Sequence, residues 1–191
     1  MTDVVCDISV SLDGYVTGPN DSRESPFGDG GVVLHDWLST EATDADRALL
    51  EDAAGRTGAV VMGRVGFEKN EGDGGWGEGG PFGDTPCFVV THRAPDREHP
   101  PVWTFVTDGV ASAVEQARAA AGDKVVHLHG ATIMQQGLPL GLVDELRLHI
   151  VAVLLGGGTP LFGSLDACIG LNRTGVQVTP SATHITYRVR H

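Results

Sequence analysis

The sequence predicts a three-layer α/β fold whose central, mostly parallel mixed sheet ends in a C-terminal antiparallel hairpin. Three observations predict it. Short apolar runs alternate with amphipathic stretches between residues 4 and 154, the pattern of parallel strands joined by helical crossovers. Several of those runs stop at glycine or a basic residue, which puts their turns on one rim of the sheet. Residues 171–190 carry two extended stretches on either side of Pro180-Ser181, as a terminal hairpin does.

In chain order, residues 4–12 read as a strand running into Asp13-Gly14, and Tyr15 and Val16 resume an extended course after a sharp bend. Residues 18–31 read as a loop and residues 35–38 as a short helical or irregular piece. Residues 43–55 read as a helix: Thr43 can cap it, Asp46 is the acidic partner three residues on, and Leu49, Leu50 and Ala53 supply an apolar face. Residues 59–62 form a buried strand. Gly63, Arg64, Val65 and Gly66 follow at once, and Phe67-Glu68 leads into residues 72–83, where glycine and acidic residues predict a mobile loop. Residues 86–91 and 103–106 are further strands, and residues 111–121 a helix closed by Gly122. Residues 125–128 form a strand that stops at Gly130, residues 131–138 a short helix, and residues 145–154 the next strand.

A chain of 191 residues that is 41% hydrophobic can bury one full core, so a single domain over residues 1–191 is expected. Asp3 and Asp7 interrupt the first apolar stretch, and no apolar run approaches the roughly 20 residues of a membrane span, which points to the cytoplasm. Cys6, Cys87 and Cys168 are far apart and odd in number, so buried thiols are expected rather than a disulfide framework or a CxxC site. A net charge of -12 argues against nucleic-acid and membrane partners. An anionic ligand must therefore meet a local basic spot, which Arg64, Arg93 and Arg97 can supply just beyond strand ends.

Three turns on one rim make such a spot: Gly63-Arg64, Thr91-His92-Arg93 and Gly130-Ala131-Thr132. A guanidinium beside hydroxyl and imidazole donors suits a phosphomonoester, while a glycine turn opening a helix offers free amides to a pyrophosphate. The same turn residues also suit an ordinary βαβ connection, so the case rests on their convergence. Together they have the shape of an NADPH site, without the GxGxxG or GxxxxGK[ST] spacing, so a different dinucleotide-binding fold is required. His127 and His129 share one strand face, and His149 is a further candidate, but no third ligand is close in sequence and no metal is expected. The acidic loop 71–78, with its glycines and Trp76, reads as a lid over a cleft. Leu138, Leu140, Leu142 and Leu146 are core or a subunit interface.

The segments ISVSLDGYVTG, VVMGRVGFE, FVVTHR and HGATIMQQGLPLGLVDELRLHIVAVLLGGGTPLF occur in this order over nearly the whole chain. With them the chain resembles the dihydrofolate reductase-like superfamily, in the branch of the C-terminal reductase domain of the bifunctional riboflavin-biosynthesis deaminase-reductase. The resemblance implies a small-molecule reductase using NADPH, and members of this branch are often homodimers. It assigns Gly63 and Arg64 to the 2′-phosphate, with Thr91, His92 and Arg93 beside them, and Gly130, Ala131, Thr132 and Ile133 to the pyrophosphate. Ser9, Val10 and Val16 would meet the nicotinamide through backbone groups, and Gly157 and Gly158 would border the cleft.

Reduction of an imine needs a hydride over the acceptor carbon and a proton for its nitrogen. The candidate acids are Asp13, in the SLDG motif, and Asp36, which lies beside Trp37 where folate reductases carry a pterin-binding acid. Asp13 also suits a plain Asp-Gly turn whose side chain pins the loop. Two residues depart from the pattern. Leu128 stands where those reductases carry the acid of EGGATL, and Gly66 where folate reductases prefer a hydroxyl. No deaminase zinc motif is present. The expectation is an NADPH-dependent reductase of a small heterocyclic substrate, similar to the 5-amino-6-(5-phosphoribosylamino)uracil reductase of riboflavin biosynthesis. Its alternatives are a dihydrofolate reductase, a non-catalytic nucleotide- or flavin-binding module, and a purely structural dimer.

Overall fold

The computed structural model describes residues 2–39, 42–72 and 75–191. Its first half runs β1 (Val4–Ser11), a 3-10 helix (Gly31–Leu38), α1 (Asp44–Arg56), β2 (Thr57–Gly63), α2 (Arg64–Asn70), β3 (Cys87–Val90) and β4 (Trp103–Val106). The second half runs α3 (Val110–Ala121), β5 (Val125–His129), α4 (Ala131–Gly137), β6 (Glu145–Val151), β7 (Leu171–Val178) and β8 (Ala182–Val189). One eight-stranded sheet results, in the order β4-β3-β2-β5-β1-β6-β8-β7. Neighbouring strands are parallel from β4 through β6, while β8 is antiparallel to β6 and to β7.

The four apolar residues 59–62 are buried because β2 is covered on both faces. Ala59 and Val61 join the main core with Val4, Cys6, Val126, Leu128 and the apolar stripe of α3, whereas Val60 and Met62 join a second cluster with Phe67, Cys87, Val89 and Trp103. That second cluster explains α2, a helix where the sequence reading places only a turn and a loop. Gly66 weakens its helical propensity, but Phe67 is 1% exposed between the strands and the Asn70 side chain donates to the Gly66 carbonyl at 2.9 Å. Fully burying such a ring stabilises by roughly 1.5–3 kcal/mol, more than the ~1 kcal/mol penalty of one helical glycine.

The cap of α1 forms as read: Asp46 N donates to Thr43 Oγ1 at 3.2 Å, and Thr43 N donates to Asp46 Oδ2 at 2.8 Å. The face differs from expectation. Leu49, Leu50 and Ala53 are only half-buried, and the one fully buried residue of α1 is Asp46. Leu49 and Leu50 pack against a third cluster of Leu34, Trp37, Val151 and Ala182. Two further expectations are corrected. Cys168 is exposed, while Cys6 and Cys87 are buried, where desolvation raises both thiols, Cys87 to about 12. Strand β6 stops at Val151 instead of running to 154, because the chain bends there, Val153 N donating to the Val151 carbonyl. Among the described residues no helix is long and apolar enough to cross a membrane.

Strand alternation gives the sheet two unlike faces. Val4, Cys6 and Val10 of β1, Val126 and Leu128 of β5, and Leu146 and Leu148 of β6 point into the main core. The opposite face therefore carries Asp7 and Ser9, His127 and His129, and Arg147 and His149 from the same three strands.

Candidate active site

Strand β1 pairs with β5 only at Val4, Cys6 and the residue between, opposite Val126–Leu128, yet stays paired with β6 as far as Ser11. The two strands part after Cys6 and Leu128, so the sheet opens at its C-terminal rim. A cavity of about 1420 Å³ occupies this gap. Pockets for one drug-sized ligand run ~300–1,000 Å³, so this one has room for a dinucleotide and a second molecule.

One end is the basic rim, and most of the residues that the resemblance assigns to a cofactor converge there. Gly63, Arg64, Thr91, His92, Arg93, Gly130, Ala131, Thr132 and Ile133 all line the cavity, as do Ser9 and Val16 on its inner wall. Arg64 Nη1 lies 3.5 Å from the Arg93 carbonyl, and the Thr91 hydroxyl donates to that same carbonyl at 2.9 Å. Each cation here has an acidic partner: Arg64 pairs with Glu68 at 2.6 Å, Arg93 with Asp96, Arg97 with Glu71, and Lys69 with Asp21. The local spot is thus basic in its groups but balanced in charge. Exposed i,i+4 pairs contribute only about 0.3–0.5 kcal/mol, so the Arg64–Glu68 pair can yield its guanidinium to a phosphate at little cost.

Gly130 turns the chain from β5 into α4 with φ 90 and ψ 152, a combination open to glycine, and a Cβ there would meet nothing within 4 Å. That empty space is where a bulky anionic ligand can approach the backbone. Helix α4 has seven residues, so any anion affinity at this turn comes from individual N–H groups rather than from a long aligned dipole.

The other end is a polar floor that the sequence reading largely missed. Asp7 Oδ1 lies 2.6 Å from His149 Nε2, and His149 Nδ1 lies 2.7 Å from His184 Nδ1. His184 Nε2 is in turn 3.0 Å from Asp46 Oδ1. Trp37 covers these rings, with centroids 4.2 Å from His149 and 5.0 Å from His184, and donates its indole N–H to Ser9 Oγ at 2.9 Å. Burial pushes the Asp7 carboxyl upward, but the hydrogen bond and charge of His149, with His127 and Arg147, prevail and hold it below the usual range. The same balance holds for Asp46, where burial is outweighed by the hydroxyl and amide of Thr43 and by Thr179 and His184. His129, deep in the wall, is pushed down to about 3 by burial and by the neighbouring His127 and His35, so it is neutral. The missed signal was a polar residue at every second position of two central strands, Asp7-Ser9-Ser11 and Glu145-Arg147-His149, where a core strand would be apolar.

The remaining assigned residues lie outside the cavity lining. Val10 points into the main core. Asp36 sits between His35 and Trp37, which do line the cavity, while it does not. Asp13 is exposed at the end of β1, where its carboxylate accepts from Ser11 Oγ at 2.6 Å, Leu155 N at 3.1 Å and Gly156 N at 2.7 Å. The Ser11 hydroxyl first, then the Gly156 and Leu155 amides, hold it below the usual carboxylate range, which makes it a clasp rather than a ready acid. A Cβ on Gly157 would meet the Pro19 ring at 3.4 Å and one on Gly158 would fall 2.0 Å from the Thr17 carbonyl, so this glycine run lies close against the loop that carries Val16. Of the acidic stretch 71–78, Asp73 and Gly74 lie outside the described residues, and Trp76 reaches the cavity and meets His129 edge-on at 5.3 Å.

A model of the RibD C-terminal domain family matches residues 2–185. Among solved structures, a protein from Shewanella sp. PV-4 provisionally ascribed to riboflavin biosynthesis superposes with a TM-score of 0.70 at 24% identity, each chain covered over its full length. The diaminohydroxyphosphoribosylaminopyrimidine deaminase/5-amino-6-(5-phosphoribosylamino)uracil reductase of Thermotoga maritima gives 0.65 at 13% identity, with 99% of this chain covering 57% of that one. Dihydrofolate reductase from Enterococcus faecalis, complexed with NADP(H), gives 0.59 at 13% identity over 99% of this chain and 97% of that one. At these identities the structural likeness shows a shared dihydrofolate reductase-like fold.

Proposed function

We propose a function from one premise: this chain belongs to the RibD C-terminal domain family. It is an NADPH-dependent reductase of a small heterocycle. The observation that carries this reading is one cavity joining an arginine- and hydroxyl-lined rim to an Asp–His floor, at the place where β1 and β5 part. NADPH fits the residues present: Arg64, Arg93 and Thr91 would hold its 2′-phosphate, and the open backbone at Gly130, Ala131 and Thr132 would run along the pyrophosphate. When bound, the cofactor supplies a hydride. The chain does the rest. Ser9 and Val16 shape the wall beside the reacting rings, Trp37 excludes water from the floor, and Asp7 and His149 present hydrogen-bonding groups to a heterocycle.

One observation weighs against the riboflavin intermediate as substrate. Leu128, at the position of the acid in EGGATL, is 0% exposed in the main core, so this site contributes no carboxylate there. The reading that follows is a heterocycle recognised without that acid, with nucleotide binding without turnover as the alternative. Calorimetric titration with NADPH and with NADH decides first, followed by absorbance assays with dihydrofolate and the aminopyrimidine intermediate. Submicromolar NADPH binding with weaker NADH binding is expected, and binding of neither ends the reductase reading.

A further inference from the structure

The four side chains Asp7, His149, His184 and Asp46 form an unbroken buried chain with contacts of 2.6, 2.7 and 3.0 Å. Each contact at such a distance needs one proton between its heavy atoms, since two facing lone pairs would repel in a site screened from water. Three contacts need three protons. Ionised carboxylates only accept, and a neutral imidazole carries a single N–H, so two carboxylates and two neutral imidazoles bring only two.

Among the described residues no neighbour supplies the missing one. The Thr179 hydroxyl lies 3.3 Å from His184 Nε2 and has the Ala182 carbonyl and Asp46 as further acceptors, but it has one proton, and giving it to Nε2 would still leave the His184–Asp46 contact without its own. At the far end Asp46 Oδ2 accepts both the amide and the hydroxyl of Thr43, which fits an ionised carboxylate. The Trp37 ring lies within 5.0 Å of both imidazoles, close enough for its π face to favour a cation between them.

We propose that Asp7, His149, His184 and Asp46 are a proton store, holding one proton beyond two neutral imidazoles and two carboxylates and releasing it into the cleft as the acid of the reduction. The extra proton belongs to the chain as a unit. Asp7 and His149 line the cavity, so the store opens on the reacting side. In reduction of a C=N bond the hydride brings two electrons to carbon and the π pair becomes an N–H bond. The proton completing that bond leaves the chain, which is refilled from solvent. Charged and titratable neighbours are His127 on β5, Arg147 and Glu145 on β6, Asp52 and Arg56 on α1, and His35 on the 3-10 helix. Of these, Arg147 is tied to Asp52 at 2.9 Å and to Glu145 at 2.7 Å. The storage stands on this geometry alone, whereas its use as an acid rests on the reductase reading.

Asp46→Asn tests it without removing the helix cap, because an asparagine can turn its oxygen to Thr43 and its amide to His184. That amide then supplies one proton of the chain, and two neutral imidazoles suffice. Imidazole ¹⁵N spectra of the full-length protein should show one histidine protonated on both nitrogens at neutral pH and at least one pH unit above the ordinary histidine range. Asp46→Asn should lose that signal at neutral pH, with unchanged circular dichroism. Should that variant not fold, Asp7→Asn makes the same exchange at the other end. Two neutral imidazoles in the wild type, or an unaltered spectrum in the variant, overturns the store. NADPH calorimetry on the same samples separates the two readings: an imidazolium without NADPH binding keeps the store and ends the reductase, and NADPH binding without the imidazolium does the reverse. In turnover of an imine, Asp46→Asn should lower kcat about tenfold or more and shift its pH profile, while an unchanged profile removes the acid role.

Discussion

The Asp13 carboxylate accepts the amide of Gly156 at 2.7 Å, tying the end of β1 to a segment 143 residues away. With Ser11 Oγ and Leu155 N on the same carboxylate, it anchors the loop whose Thr17 and Val16 reach the cavity.

That clasp should be acid-labile. The folded carboxyl lies below its ordinary range, so its contribution is present above the unfolded value of about 3.9 and is lost as pH falls through the folded value. Asp13→Ala should lower the melting temperature at neutral pH, and the gap to wild type should close in acid. A gap of constant size from neutral to strongly acidic pH would show that the carboxylate charge plays no part.

Arg64→Ala should weaken NADPH binding more than NADH binding. Hydrogen bonds to charged groups contribute about 1.5–3 kcal/mol, which corresponds to roughly tenfold or more in Kd. Titration calorimetry reads this directly, and added salt should narrow the difference between the two cofactors in the wild type. Equal losses for both cofactors would place the 2′-phosphate elsewhere.

Gly130→Ala should destabilise the fold by about 1–3 kcal/mol, the range for a side chain forced into a glycine-only conformation. Since the added methyl enters open space in the cleft and not packed core, NADPH affinity should fall as well. Urea unfolding and calorimetry on the one variant test both effects. Stability equal to wild type would contradict the backbone argument.

Acid should unfold the protein in a window set by buried imidazoles. Burial lowers His35, His99, His127 and His129, the last down to about 3. The unfolded chain therefore binds protons that the native state refuses, and stability is full above the unfolded histidine value of about 6.5 and declines below it. For His129 alone the slope is about 1.4 kcal/mol per pH unit until its folded value is approached. His129→Gln should flatten the dependence of urea midpoint on pH in this window, and an identical slope would show that His129 is protonated in the native state.

Much of this was legible in the residues themselves. Apolar runs located the strands, Thr43 and Asp46 announced the cap of α1, and Gly122 closed α3 with φ 61. The rim residues Arg64, Thr91, Arg93 and Gly130 were legible because strand ends of a parallel sheet share one side. Helix α2 was not, since it has no side-chain cap and holds Gly66, and it exists because Phe67 is gripped by neighbours distant in sequence. The polar floor was hidden for a related reason. Asp46 reads completely as a helix cap, and only the tertiary fold shows that its second oxygen faces His184, 138 residues away.

The short pairing of β1 with β5 has a mechanical consequence. It splits the sheet into two leaves of four strands, β4-β3-β2-β5 and β1-β6-β8-β7, stitched along three residue pairs at one end. A molecule lying in the gap touches both leaves, so it acts as the missing stitches. Amide exchange in β1 and β5 should therefore slow on both sides of the seam when the cleft is occupied.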